Sequence, residues 1–154
     1  MDPIKTSKIL KKTYFRQLLS SVILVGVAYL LKYHFKLSNS TQLPTKTVSM
    51  IVIALAGIFG IALPVFYRSY FVYKVRDQKQ IRPDAFIRFE RVLLSTALLT
   101  PYFLVVSLLI NMSEAANLLI ALFALYAAYY YYPSGKKVRF EMKIFRIKPD
   151  NKEA

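Results

Sequence analysis

Two uncharged stretches, residues 92–110 and 115–132, constrain this chain more than anything else in it. They run for nineteen and eighteen residues, separated only by Asn111, Met112, Ser113 and Glu114. Crossing ~30 Å of hydrocarbon takes a helix of about 20 apolar residues, and each stretch is near that length. So short a link forces the two to lie antiparallel and side by side, which predicts a membrane hairpin. A second pair precedes it. Residues 14–33 hold an uncharged centre with Arg16 and Lys32 at the ends, where long side chains can snorkel, and residues 48–67 carry no charge. The expected fold class is an all-α membrane protein with four transmembrane helices. They form two antiparallel hairpins stacked as one bundle, since stacking buries small-residue faces that would otherwise meet lipid. A basic N-terminal segment (1–16), a four-span membrane domain (17–132) and a basic tail (133–154) make up the chain.

Charge decides between membrane and nucleic acid. The chain has 154 residues and a net charge of +14, with 22 Lys and Arg against 8 Asp and Glu. In a soluble protein that balance would point to nucleic acid. Here the apolar residues come in blocks and the basic residues fill the gaps, so the charge reads as orienting the spans and meeting anionic lipid, with no nucleic-acid partner. With both termini inside, nineteen of the 22 cations fall on the inner side and three on the outer. The positive-inside rule therefore predicts cytoplasmic termini, in a bacterial cytoplasmic membrane with an anionic inner leaflet. Aromatic residues at 14–15, 67–73, 86, 89 and 129–132 all fall at the same interface. A signal peptide is the competing reading of the first span, but Lys32-Tyr33-His34-Phe35 follows it in place of a small-residue cleavage pattern.

Within the spans the notable residues are small or bent. Ala56 and Gly60 form a small-x-x-x-small spacing that lets another helix approach closely. Pro64 deprives the Gly60 carbonyl of a donor and predicts a kink. Pro83 fits the first turn of the third helix, with Asp84 beside it, and that helix is expected to run as one rod from 83 to 110, bent at Pro101. Thr96 and Thr100 stand ready to satisfy carbonyls freed by that proline, and Thr96, Thr100, Phe103 and Ser107 share a packing face. In the fourth span Asn117, Ala121, Ala124 and Ala128 form the stripe expected to meet neighbouring helices. Gly60, Pro64 and Pro101 are the candidate hinges. The run Tyr129–Tyr132 reads as an interfacial girdle, an aromatic cage for a cation being the alternative.

The loops are basic. Residues 1–16 are expected as a short interfacial helix. Arg76, Arg82, Arg88, Arg91, Lys136, Lys137 and Arg139 are the candidates for anionic lipid or headgroup contact. Asp77, Asp84 and Glu90 lie among these arginines and suggest local charge balance. Residues 137–148 alternate with period two through Val138, Phe140, Met142 and Ile144, yet Val138, Met142 and Phe145 also fit a helix, so the tail is amphipathic and either strand or helix. Asn39-Ser40-Thr41 and Asn111-Met112-Ser113 are Asn-x-Ser/Thr sequons in the outer loops.

Catalytic chemistry leaves no mark. There is no cysteine, which excludes disulfides, cysteine metal sites and thiol catalysis. The single histidine, His34, has no carboxylate nearby, and no phosphate loop or nucleophile motif occurs. The four uncharged runs contain no ionisable group that would mark a proton relay, Glu114 being the nearest carboxylate. These features imply no cofactor and no metal. They predict a non-enzymatic membrane protein that works through contacts with a membrane-protein partner or with itself, as an accessory subunit, anchor or scaffold. A homo-oligomeric transporter, flippase or pore is the alternative, and a lipid-modifying enzyme using Asp84 or Glu90 is a third.

Overall fold

The computed structural model describes residues 3–34, 44–76 and 81–147, and every regular element in it is a helix. The first sequon, Asp77 and the chain beyond 147 lie outside the described residues. Helix α1 spans Pro3–His34, 32 residues, which at 1.5 Å per residue is about 48 Å. It is one uninterrupted rod, so the expected short surface helix over 1–16 is simply its first half. Ser7, Tyr14, Ser21 and Ala28 are buried at intervals of seven, with Thr6 and Leu10 beside them. That narrow seam faces the other helices, with Leu18 beside it, whereas Leu19, Val22, Ile23, Leu24 and Val27 point outward.

Helix α2 (Lys46–Gly57) passes through a single π-helical turn, Ile58–Ala62, into α3 (Leu63–Val75). Pro64 explains the turn. Lacking an N–H, it cannot bond the Gly60 carbonyl, and the helix widens so that the Leu63 N–H donates to Ile58 O, five residues back. The strain expected of a kink is absorbed within a helical unit that continues over Lys46–Val75.

The expected rod over 83–110 is a single helical unit, Pro83–Leu109, divided by a two-residue break into α4 (Pro83–Ala97) and α5 (Thr100–Leu109). The interruption falls at Leu98 and Leu99, before the proline. Pro101 thereby sits in the first turn of α5, where an N–H has no intrahelical partner to lose. The threonines do not serve the expected carbonyls. Thr96 Oγ1 donates to Val92 O at 2.9 Å, and the buried Thr100 Oγ1 has no partner among the described residues.

Helix α6 (Glu114–Tyr130) follows through a link as short as two caps allow. Asn111 takes a left-handed φ of 56°, Met112 N–H donates to Ser107 O at 3.0 Å and Asn111 N–H to Leu108 O at 3.3 Å. This closes α5 with a Schellman motif. Ser113 then caps α6, its Oγ accepting from Ala116 N. Helix α7 (Gly135–Ile144) turns off α6 by 72° after Pro133. It resolves the tail as a helix. Val138, Glu141, Met142 and Phe145, three or four apart, are buried, whereas Phe140 and Ile144 of the period-two set are 63 % and 49 % exposed.

Three helical units (Pro3–His34, Lys46–Val75 and Pro83–Leu109) are long and apolar enough to cross a membrane, and α6 with α7 makes a fourth if the bent pair is one span. Alone, α6 has 17 residues, the short end of the spanning range of about 17–25. The α4–α5 unit is the central one, with α5 packing against α1, α2 and α6. One core at the basic end joins Leu10, Tyr14, Phe86, Phe89, Leu93, Leu94, Val138, Met142 and Phe145. A smaller one at the other end joins Val52, Ala56, Met112, Ala116 and Ile120.

Between them, Gly60 lies close against Thr100. A Cβ placed there would lie 2.9 Å from Thr100 Oγ1 and 3.2 Å from its Cγ2, but 3.6 Å from its Cβ. Gly60→Ala is therefore expected to destabilise the protein by about 1–3 kcal/mol through overpacking. Adding Thr100→Ala, which removes both close atoms, should recover most of that loss. Thermal unfolding in detergent of the two single variants and the double variant measures this coupling.

Candidate functional site

The apolar stripe of α4 runs through Phe86, Phe89, Leu93, Leu94 and Ala97, and Glu90 lies within it, buried with the rest. Glu141 occupies the equivalent place in the stripe of α7, between Val138 and Met142. Docking α7 across the basic end of the bundle brings the two acids together. Glu90 is 4 % exposed and Glu141 2 %. The same core holds an aromatic cluster: Phe71 stacks on Phe89 at 4.0 Å between centroids, and Phe145, the residue after α7, meets both at 5.4 and 5.8 Å. The expected charge balance of Glu90 with its neighbouring arginines does not occur. Arg88 and Arg91 point outward, because they fall on the opposite face of α4.

Two cations attend the acids. Arg68 of α3 places Nη2 3.4 Å from Glu141 Oε1. Lys137 of α7 turns inward. Its ammonium donates to Tyr130 O at 2.9 Å and stands 5.2 and 5.4 Å from the Tyr130 and Tyr131 ring centroids. Loss of hydration lowers the Lys137 pKa, against the pull of Glu141 and Glu90. Glu90 precedes the uncharged run that begins at Val92, and at that collar burial pushes its carboxyl up to about 9, reinforced by the hydrogen-bonded Glu141 and opposed by Lys137 and Arg68. One oxygen of each acid, Glu90 Oε1 and Glu141 Oε2, accepts from no donor among the described residues. A neutral Glu90 donating to a Glu141 carboxylate paired with Arg68 accounts for the burial of both acids. Such a pair can hold and release one proton.

Lys137 is half-buried against Tyr130, while Arg76, Arg82, Arg88, Arg91, Lys136 and Arg139 are exposed. Arg82 and Arg88, with Lys74 and Asp84, rim a cleft of about 460 Å³ floored by Phe71 and Phe89. The tyrosine run is met by the chain's own cations, Lys11 standing 5.4 Å from the Tyr132 ring. Among the packing candidates, Ala56, Gly60, Thr100 and Ser107 are fully buried, and Gly60 and Thr100 touch. Thr96 is only partly buried. On α6 the buried line is Ala116, Ile120, Ala124 and Ala127, rotated from the expected stripe, with Asn117, Ala121 and Ala128 flanking it. The rotation seats the bulky Ile120 against Val52 and Ala56. Asn117 instead turns back to donate to Met112 O at 3.2 Å. Pro64 and Pro101 are both buried beside the helix irregularities, and His34 and Glu114 are exposed. No three His, Asp or Glu residues converge as metal ligands among the described residues.

The acid pair has a sequence signature that charge counting hides. Each glutamate lies three or four residues from apolar neighbours on both sides, at 86/89/90/93/94 and at 138/141/142/145. Removing the cation should be costly. Arg68→Ala is expected to destabilise by about 1–2 kcal/mol, less than the loss for a fully enclosed pair because Arg68 is 33 % exposed. Glu141→Gln in the same chain should restore part of it, as read from thermal unfolding in detergent.

No protein-family model matches this sequence, and no curated protein or solved structure shows significant similarity to it.

Proposed function

We propose that the chain is a four-span integral membrane protein of the bacterial cytoplasmic membrane, with both termini cytoplasmic, acting through protein and lipid contacts as an accessory subunit, anchor or scaffold. The observation that carries the reading is the outward face of the long helices. Leu19, Val22, Ile23, Leu24 and Val27 of α1, Met50, Ile51, Leu55 and Ile58 of the second unit, and Leu118, Leu122 and Leu125 of α6 are all exposed. Apolar surface on this scale needs hydrocarbon or another helix around it. At the basic end, the outward arginines and the exposed Lys136 and Arg139 suit an anionic leaflet.

The Glu90–Glu141 pair favours a second reading, a homo-oligomeric transporter, flippase or pore. A buried group that takes up and releases a proton is what coupled transport requires, and the cleft bordered by Arg82 and Arg88 suits a phosphate-bearing headgroup.

Purification of the tagged chain in mild detergent at native abundance, with cross-linking and mass spectrometry, separates the two. A different membrane protein in fixed stoichiometry is the expected result, whereas a pure homo-oligomer would favour transport. Reporters fused after Ala154 should be active only in the cytoplasm, and an exclusively external signal would overturn the orientation.

A further inference from the structure

We propose that Glu90 and Glu141 form a proton-binding site whose shared proton holds α7 docked across the basic end of the bundle, so that losing the proton loosens α7. The inference stands apart from the accessory and transport readings and needs neither.

Its basis is geometric. The two acids belong to different elements, α4 and α7, and meet only when α7 is seated. Both are more than nine-tenths buried, and each keeps one oxygen without a donor among the described residues. One proton between them fills that gap, since a carboxylic acid donates where a carboxylate can only accept. The charged and titratable surroundings come from each packed element. Arg68 of α3 pairs with Glu141, and Lys137 of α7 is tied to Tyr130 O at the end of α6. Tyr131 lies beside them at the end of α6, while α1 contributes Leu10 and the Tyr14 hydroxyl, which donates to Ala128 O. Arg68 and Lys137 remain cationic partners for a single negative charge; a second one in the same dry volume costs the seated state.

The direction of the pH dependence follows. A seated Glu90 holds its proton more tightly than a hydrated one, so docking is strongest in acid. It weakens as pH rises from the ordinary glutamate value of 4.5 towards about 9, by up to about tenfold in the docking equilibrium per pH unit.

The absence of cysteine makes the test direct. Met142→Cys places a thiol on the buried face of α7, and Phe140→Cys places one on its exposed face as a control for thiol ionisation. Maleimide labelling of the full-length protein in membranes, from pH 5.5 to 8.5, reads the ratio of the two rates. That ratio follows the undocked population when α7 recloses quickly. In the otherwise native chain the ratio should climb with pH. With Glu90→Gln, whose amide donates without titrating, it should stay low and nearly flat. A flat ratio in the native background, or an equal climb with Glu90→Gln, overturns the proposal. Val138→Cys repeats the reading if Met142→Cys unseats the helix by itself, shown by labelling at all pH values as fast as Phe140→Cys.

Discussion

Every irregularity in this bundle is a solution to the same constraint, that backbone groups beside apolar surroundings must find partners inside the protein. The end of α6 shows how fully it is met. Three carbonyls there, beyond the last i+4 bond from Tyr131 N–H to Ala127 O, are each supplied differently. Ala128 O accepts from the Tyr14 hydroxyl, Tyr129 O from Tyr132 N–H and Tyr130 O from the Lys137 ammonium. Further along, Pro133 O takes the Ser7 hydroxyl. The first helix, the last helix and the tyrosine run are thus held together at one helix terminus. The π turn before Pro64 and the break before Pro101 meet the same demand elsewhere, each letting a proline enter without leaving the helix open.

Polar side chains in the interior follow from this economy. Ser21 and Ser107 spend their hydroxyls on carbonyls in their own helices, and Gln17 reaches Ser95 at 2.9 Å to tie α1 to α4. The glutamates differ because neither has a backbone donor. Their burial requires Arg68 and a shared proton, so packing at this collar depends on a titratable group. Seating α7 also completes the larger core, since Val138, Met142 and Phe145 close over Leu10, Phe86 and Phe89. A Schellman motif ends α7 as one ends α5, with Arg146 left-handed at φ 52° and Ile147 folded back onto the same core. The final helix is therefore an integral part of the domain, which gives a proton-dependent seat there a route to the rest of the bundle.

Function follows from where the distinctive chemistry lies. The end carrying Val52, Ala56 and Met112 is apolar and tightly turned, whereas the basic end gathers the acid pair, the inward lysine and the arginine-edged cleft. The proposed accessory role uses the outer faces of the helices, and the transport alternative uses this collar.

Sequence alone determined the helical class, the long apolar segments and the position of the tight link at 111–114, because length, absence of charge and cap residues act locally. It also singled out Gly60 and Thr100 as small or polar residues on packing faces, without pairing them. Only the tertiary structure decided that they touch, that α6 turns Ile120 rather than Asn117 inward, and that the tail is a helix. Those outcomes depend on which surface each stripe finds. Glu90 and Glu141 are the clearest case: 51 residues apart in the chain, each reads as an ordinary charge in a basic segment. Their meaning arises when α7 folds back and places both in the same dry volume, where a carboxylate must find a cation or keep its proton.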